Sequence, residues 1–189
     1  MFEVVFVCTG NRCRSPVGEA SLREVAPEWV RVSSCGTLDL AAATSPSETL
    51  RAAAGLGLDL STHRSRHLGV AKLPDADLVV GFELAHVAAA VVEGGADPAK
   101  TFTLPELIRL LGSHRPEEYP AEDPEARARR LVATAAKAKQ GFVPQEEIAD
   151  PIGSRQQVHD QISGQIRELA HELARTLFQP PDAGGQEKR

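Results

Sequence analysis

Residues 4–20, VVFVCTGNRCRSPVGEA, pass from a run of β-branched and aromatic residues through Gly10 and Asn11 to Ser15-Pro16, a helix-start pair. A short apolar run bounded by turn residues reads as a buried strand, the kind found in parallel sheets. The loop that leaves such a strand for a helix presents backbone N–H groups and the positive end of the helix dipole to whatever lies above it. An anion fits there. Cys8 stands at the start of this loop, where the field that favours a bound oxyanion also favours a thiolate, the nucleophilic form of cysteine. Arg14 adds a planar fork that holds two oxygens of a phosphoryl group and keeps its charge. Ser15 can donate its hydroxyl to the sulfur or cap the helix, Gly10 lets the backbone curl close to a ligand, and Asn11 tolerates a left-handed backbone. Thr9, Gly10, Asn11, Arg12, Cys13, Arg14 and Ser15 are therefore expected to form an oxyanion cradle around Cys8.

Outward from that loop, strands and helices alternate. A strand at Glu3–Val7, a helix from Pro16 to about Val25 and a strand at Val30–Ser34 make a βαβ opening. Ser45 as N-cap, Pro46 at the first helical position and Glu48 three residues after the cap spell a capping box for a helix ending near Gly55–Gly57. "DADLVVGF" reads as a third strand, "ELAHVAAAVVEGG" as a helix closed by glycines, "KTFTL" as a fourth strand and Pro105–Leu111 as a helix. In a last helix, Ser154–Phe178, the residues Val158, Ile162, Ile166, Leu169, Leu173 and Leu177 recur at spacings of three and four, a core-facing stripe. The pattern is α/β, with a parallel sheet covered on both faces.

Two stretches depart from the rhythm. His114–Phe142 is charged, acidic at its beginning and basic later, the order a helix macrodipole favours, and is expected to add a mostly surface helix to a domain spanning residues 1–178. Residues 179–189, QPPDAGGQEKR, have the composition of a disordered tail.

A chain of 189 residues with 42% hydrophobic residues can bury a proper core and has the usual size of one domain. Its net charge of −5 argues against nucleic acid as a partner, since phosphate-backbone binders carry a basic face. Val4–Cys8 is too short for a secretory segment and lacks a basic leader, and no stretch is long and apolar enough to span a bilayer. Three cysteines, Cys8, Cys13 and Cys35, suit a reducing compartment, so a cytoplasmic location is expected.

The motif VCTGNRCRSP, residues 7–16, resembles the signature of low-molecular-weight protein tyrosine phosphatases and their relatives, arginine phosphatases and arsenate reductases. "SSCGT", "STHRSRHL", "DADLVVGFELAH" and "DPIGS" resemble successive further blocks of that family, so the likeness covers most of the chain, His114–Phe142 being the chief exception. The resemblance implies a three-layer sandwich with a four-stranded parallel sheet and the phosphate-binding loop after the first strand. It implies Cys8 as attacking cysteine, Arg14 as phosphate-binding arginine, Ser15 as thiolate stabiliser and Asn11 as loop-shaping residue. A thiolate attack on phosphorus also needs an acid for the departing oxygen. Asp-Pro pairs occur at Asp97, Asp123 and Asp150; the first two read as helix-start or turn residues, while Asp150 matches the family's acid-bearing loop. Asp150 is the expected general acid, then base, and no metal or cofactor is called for. His63 and His67, four apart with no companion ligands, read as polar packing or surface.

Several positions depart from the family pattern. The regions where the tyrosine enzymes carry aromatics read TLDLAAAT and Ile152-Gly153, which weakens phosphotyrosine specificity. Arg12 stands where those enzymes commonly have an apolar residue and arginine phosphatases a threonine; it either points to a charged substrate or lies on the surface, and its charge disfavours phosphoarginine. Cys13 either forms a protective disulfide with Cys8 or is a small buried residue. The expected substrate is a phosphorylated protein, phosphotyrosine first, or a small phosphate ester. Protein-arginine phosphatase, thiol-coupled arsenate reductase and a non-catalytic phosphate-binding module remain as alternatives.

Overall fold

In the computed structural model, which describes residues 1–112, 123–139 and 147–179, the opening apolar run forms β1, Phe2–Cys8. β1 lies between two parallel neighbours, β2 at Val30–Gly36 and β3 at Leu78–Gly81, and β4 at Thr101–Thr103 pairs with β3. The order β2-β1-β3-β4 makes a four-stranded parallel sheet. Because side chains alternate along a strand, β1 sends Phe2, Val4, Phe6 and Cys8 into one core and Val5 and Val7 into the other. Its continuous hydrophobicity follows from burial on both sides.

The first core is covered by α1 (Arg14–Val25), α2 (Ser47–Gly55), α4 (Leu104–Gly112), α5 (Pro124–Ala138) and α6 (Gln156–Phe178). The second is covered by α3 (Leu84–Val92) and short 3₁₀ turns at Leu68–Val70 and Leu73–Asp75. This is the expected three-layer arrangement. The α6 stripe is where the spacing puts it: Ile162, Ile166, Leu173 and Leu177 are buried, with Val158 and Leu169 packed against them. Phe178 meets Phe2 at 5.7 Å and Trp29 at 5.5 Å between ring centroids, edge to face, and so ties the end of α6 to β1.

Two local expectations change and a third gains a buried stripe. The helix after β1 begins at Arg14, two residues before Pro16, which places the arginine in its first turn. The capping box at α2 does not form, because Pro46 keeps an extended ψ of 152° and is itself the N-cap; Ser45 Oγ is buried without a partner, and Glu48 accepts from Ser47 Oγ instead. The charged segment does contain a helix, α5, capped by Asp123 accepting from the Ala126 N–H, and most of its residues are exposed or half-buried, as expected. Its charges hide an apolar stripe of Ala128, Val132 and Ala135 that joins the main core. The rest of that segment, 114–122 and 140–142, and residues 180–189 of the tail lie outside the described residues.

Candidate active site

The site begins where β1 stops. The Cys8 and Thr9 carbonyls accept from the backbone N–H groups of Thr37 (3.0 Å) and Leu38 (2.9 Å), which binds the loop to the chain leaving β2. Gly36, at the end of β2, leaves room for this approach: a Cβ there would stand 2.8 Å from Asn11 N and 2.9 Å from Thr9 O.

Asn11 is fully buried and takes up the left-handed backbone, with φ of 49°. Its Nδ2 donates to Ser15 Oγ (2.9 Å) and Ser34 Oγ (2.8 Å), while its Oδ1 accepts from the Arg66 N–H (2.8 Å). His63 Nε2 lies 2.7 Å from the Asn11 carbonyl oxygen, so this histidine braces the loop, and His67 accepts from the Gly69 N–H as a turn cap. Cys8 Sγ lies 3.0 Å from Ser15 Oγ. Since Asn11 donates to that hydroxyl, the Ser15 proton is left for Cys8 Sγ or for the Cys35 carbonyl 3.3 Å away.

Arg14 is 1% exposed, and its surroundings set the electrostatics of the site. Nη1 donates to a Glu83 carboxylate oxygen and to the Ile148 carbonyl (2.9 Å), and Nη2 stands 2.7 Å from Asp150 Oδ2 and 3.4 Å from Thr9 Oγ1. Nε is buried with no partner. A buried guanidinium N–H without an acceptor is costly, and this one lies on the same edge of the fork as Nη2. That edge is shaped for two oxygens of an anion.

Asp150 is carried by the segment leading to α6, which is pinned to the sheet by the Ile148 N–H donating to the Phe82 carbonyl (2.9 Å). Its Oδ1 accepts from the Ile152 N–H (3.1 Å). The structure thus brings Cys8, Thr9, Asn11, Arg14, Ser15 and Asp150 together. Cys13 is the N-cap residue of α1, and burial pushes its thiol up to about 11; Cys35 is likewise pushed up to about 12 by burial. Arg12 turns away, its Nε donating to the Thr44 carbonyl (2.6 Å). Leu38, bonded to Thr9, and Ile152, bonded to Asp150, are about half exposed (51% and 49%) and give the site an aliphatic border.

Two residues escaped the sequence reading, Glu83 and His86. They form a reciprocal capping box at the start of α3: the Glu83 side chain accepts from the His86 N–H, and His86 Nδ1 accepts from the Glu83 N–H (3.1 Å). The signal was the spacing E-x-x-H directly after a glycine-ended strand, with residue types unusual for such a box.

The model of the family "Low molecular weight phosphotyrosine protein phosphatase" matches residues 3–179. The low molecular weight protein-tyrosine-phosphatase Etp of Escherichia coli strain K12 is 26% identical over 174 residues, 92% of this chain and 93% of that one. The protein-arginine-phosphatase of Bacillus subtilis strain 168 is 25% identical over 178 residues, 93% and 96% of the two chains. The crystal structure of the tyrosine phosphatase Wzb from Escherichia coli K30 in complex with sulphate superposes with a TM-score of 0.67 at 22% identity, covering 94% of this chain and 99% of that one.

Proposed function

The chain belongs to the low molecular weight phosphotyrosine protein phosphatase family of cysteine-dependent phosphatases, and we propose that it hydrolyses protein phosphotyrosine with Cys8, Arg14 and Asp150 as its working residues. The observation that carries this assignment is the state of Arg14: a buried cation with an unpartnered Nε and an Nη2 paired with the Asp150 carboxylate. A phosphoryl group supplies two oxygens to this edge.

Two anions cannot share the cradle, so the arriving phosphoryl group displaces the Asp150 carboxylate from Nη2, and the carboxylate, no longer paired with Arg14, takes up a proton from solvent beside the ester oxygen. Cys8 Sγ attacks phosphorus in line as the P–O ester bond breaks, and Asp150 gives its proton to the departing oxygen. Ser15, poised by Asn11, donates to the sulfur while it is negative. Asp150 then takes a proton from water, whose oxygen attacks phosphorus as the S–P bond breaks, and inorganic phosphate and the Cys8 thiolate are released. Arg14 and the loop amides hold the equatorial oxygens throughout.

Phosphotyrosine leads because the matching family is one of phosphotyrosine protein phosphatases and the Escherichia coli relative is named a protein-tyrosine-phosphatase. Phosphoarginine stands second, on the strength of the Bacillus subtilis relative that is a protein-arginine-phosphatase. Small esters would be accepted on the aliphatic border of Leu38 and Ile152. The cytoplasm suits a chain whose three cysteines are free and in which no described helix is long and apolar enough to cross a membrane. The acidic net charge argues against nucleic acid as a partner.

The test is the hydrolysis of phosphotyrosine and phosphoarginine peptides by the reduced protein, alongside Cys8→Ser. Faster phosphotyrosine turnover, abolished by Cys8→Ser, is expected; phosphoarginine preference would reverse the substrate order. Absence of phosphate release from either peptide, with phosphate still bound, would turn the reading toward a binding module.

A further inference from the structure

We infer that the Thr9 hydroxyl donates a hydrogen bond to the bound phosphoryl group and that His86, beneath it, is the positioning residue that aims it. The inference rests on the phosphatase reading and adds a donor that the scheme above does not use.

Counting protons gives each bond its direction. His86 is buried, 1% exposed, and its Nδ1 faces two backbone donors, the N–H groups of Phe82 (3.3 Å) and Glu83 (3.1 Å). An amide N–H only donates, so Nδ1 presents its lone pair and the neutral ring carries its proton on Nε2. Burial first, and then the charge of Arg14, push the proton affinity of this ring down to about 4, which keeps it neutral at working pH. Nε2 lies 3.0 Å from Thr9 Oγ1 and, with its proton fixed there, must be the donor.

Thr9 Oγ1 therefore accepts from His86, and it accepts again from Arg14 Nη2 at 3.4 Å. Both lone pairs of a hydroxyl oxygen are then committed, and what remains is its one proton. Among the described residues no group accepts it. Thr9 is half-buried beside the Nη2 edge of Arg14, where Asp150 now sits and where the phosphoryl oxygens would arrive. A tautomer locked from below thus converts a two-way hydroxyl into a donor with one direction left, toward the anion. A donor held in place before the substrate arrives costs no reorganisation when charge develops on the phosphoryl oxygens.

The geometry separates this role from mere packing. Thr9→Val keeps the shape and removes the proton; Thr9→Ser keeps the proton; His86→Leu removes the device that aims it. The measurements are kcat/KM for an aryl phosphate and the competitive inhibition constant of inorganic phosphate, with urea midpoints to verify that each variant is folded. Thr9→Val is expected to lose about tenfold or more in both quantities, the range for a hydrogen bond to a charged group, and Thr9→Ser to stay within about threefold. His86→Leu should weaken phosphate binding in the native background and have no further effect on it in the Thr9→Val background.

The inference is overturned if the native protein turns over normally while Thr9→Val binds phosphate as tightly as native. It is also overturned if His86→Leu costs the same in both backgrounds, since a purely structural histidine acts without regard to the hydroxyl. Were the native protein itself to release and bind no phosphate, the phosphatase reading would fall first and this inference with it.

Discussion

Asp150 is held by the same guanidinium nitrogen that a phosphoryl oxygen would need, so this one carboxylate has opposite effects on binding and on chemistry. Asp150→Asn removes the competing charge and the transferable proton together. It is expected to bind inorganic phosphate several-fold more tightly than native and to lose about 10²–10⁴ in kcat, the range for a positioned general acid. Product-inhibition and steady-state assays on the variant measure both. Weaker phosphate binding would mean that Asp150 helps to hold the anion and does not compete with it. At this scale the sequence was legible where a residue has a single local role, as Asn11 has at positive φ, Ser15 beside the sulfur, and Asp97 and Asp123 as caps. Glu83 and His86 were not, because their importance comes from a buried partner, Arg14, and a half-buried one, Thr9, more than sixty residues away.

Elements set the loop by close approach. β2 ends in Gly36, whose missing side chain is the space occupied by the backbone of Thr9, Gly10 and Asn11. The obstructing atoms are main chain, which cannot rotate aside. Gly36→Ala is therefore expected to destabilise the fold by about 1–3 kcal/mol through overpacking and to lower turnover by displacing Asn11 from Ser15. Urea unfolding and aryl phosphate assays test the pair of effects; a variant with native stability and native turnover would show that the loop is not seated on β2. The strands and the α6 stripe were readable because periodicity reports burial directly. The α2 capping box failed because its letters were right and the backbone of Pro46 was not helical, and the buried face of α5 went unread because a high charge density concealed a narrow alanine and valine stripe.

Across the whole molecule, the site and the fold share a titration. The His86 ring has an ordinary value of 6.5 and is held down to about 4 in the folded protein, chiefly by burial. On acidification the unfolded chain takes up this proton first, so the stability that His86 contributes is complete above about pH 6.5 and is lost as pH falls toward about 4. The carboxylates of Glu24, Glu48, Asp59 and Glu125, held below their ordinary values mainly by hydrogen bonds, lose their contribution only at lower pH. Urea midpoints between about pH 4.5 and 6.5 should fall with acid in the native protein and stay flatter in His86→Leu; parallel curves would place the acid-sensitive group elsewhere.

In the proposed reaction phosphate passes through Cys8. Rapid mixing of a nitrophenyl phosphate with Asp150→Asn tests it most directly, because this leaving group departs without an acid while the second step still needs a base. A burst of nitrophenolate stoichiometric with protein is expected, with a phosphate label recovered on Cys8, and neither in Cys8→Ser. Turnover retained by Cys8→Ser, or a label on any other residue, would contradict it.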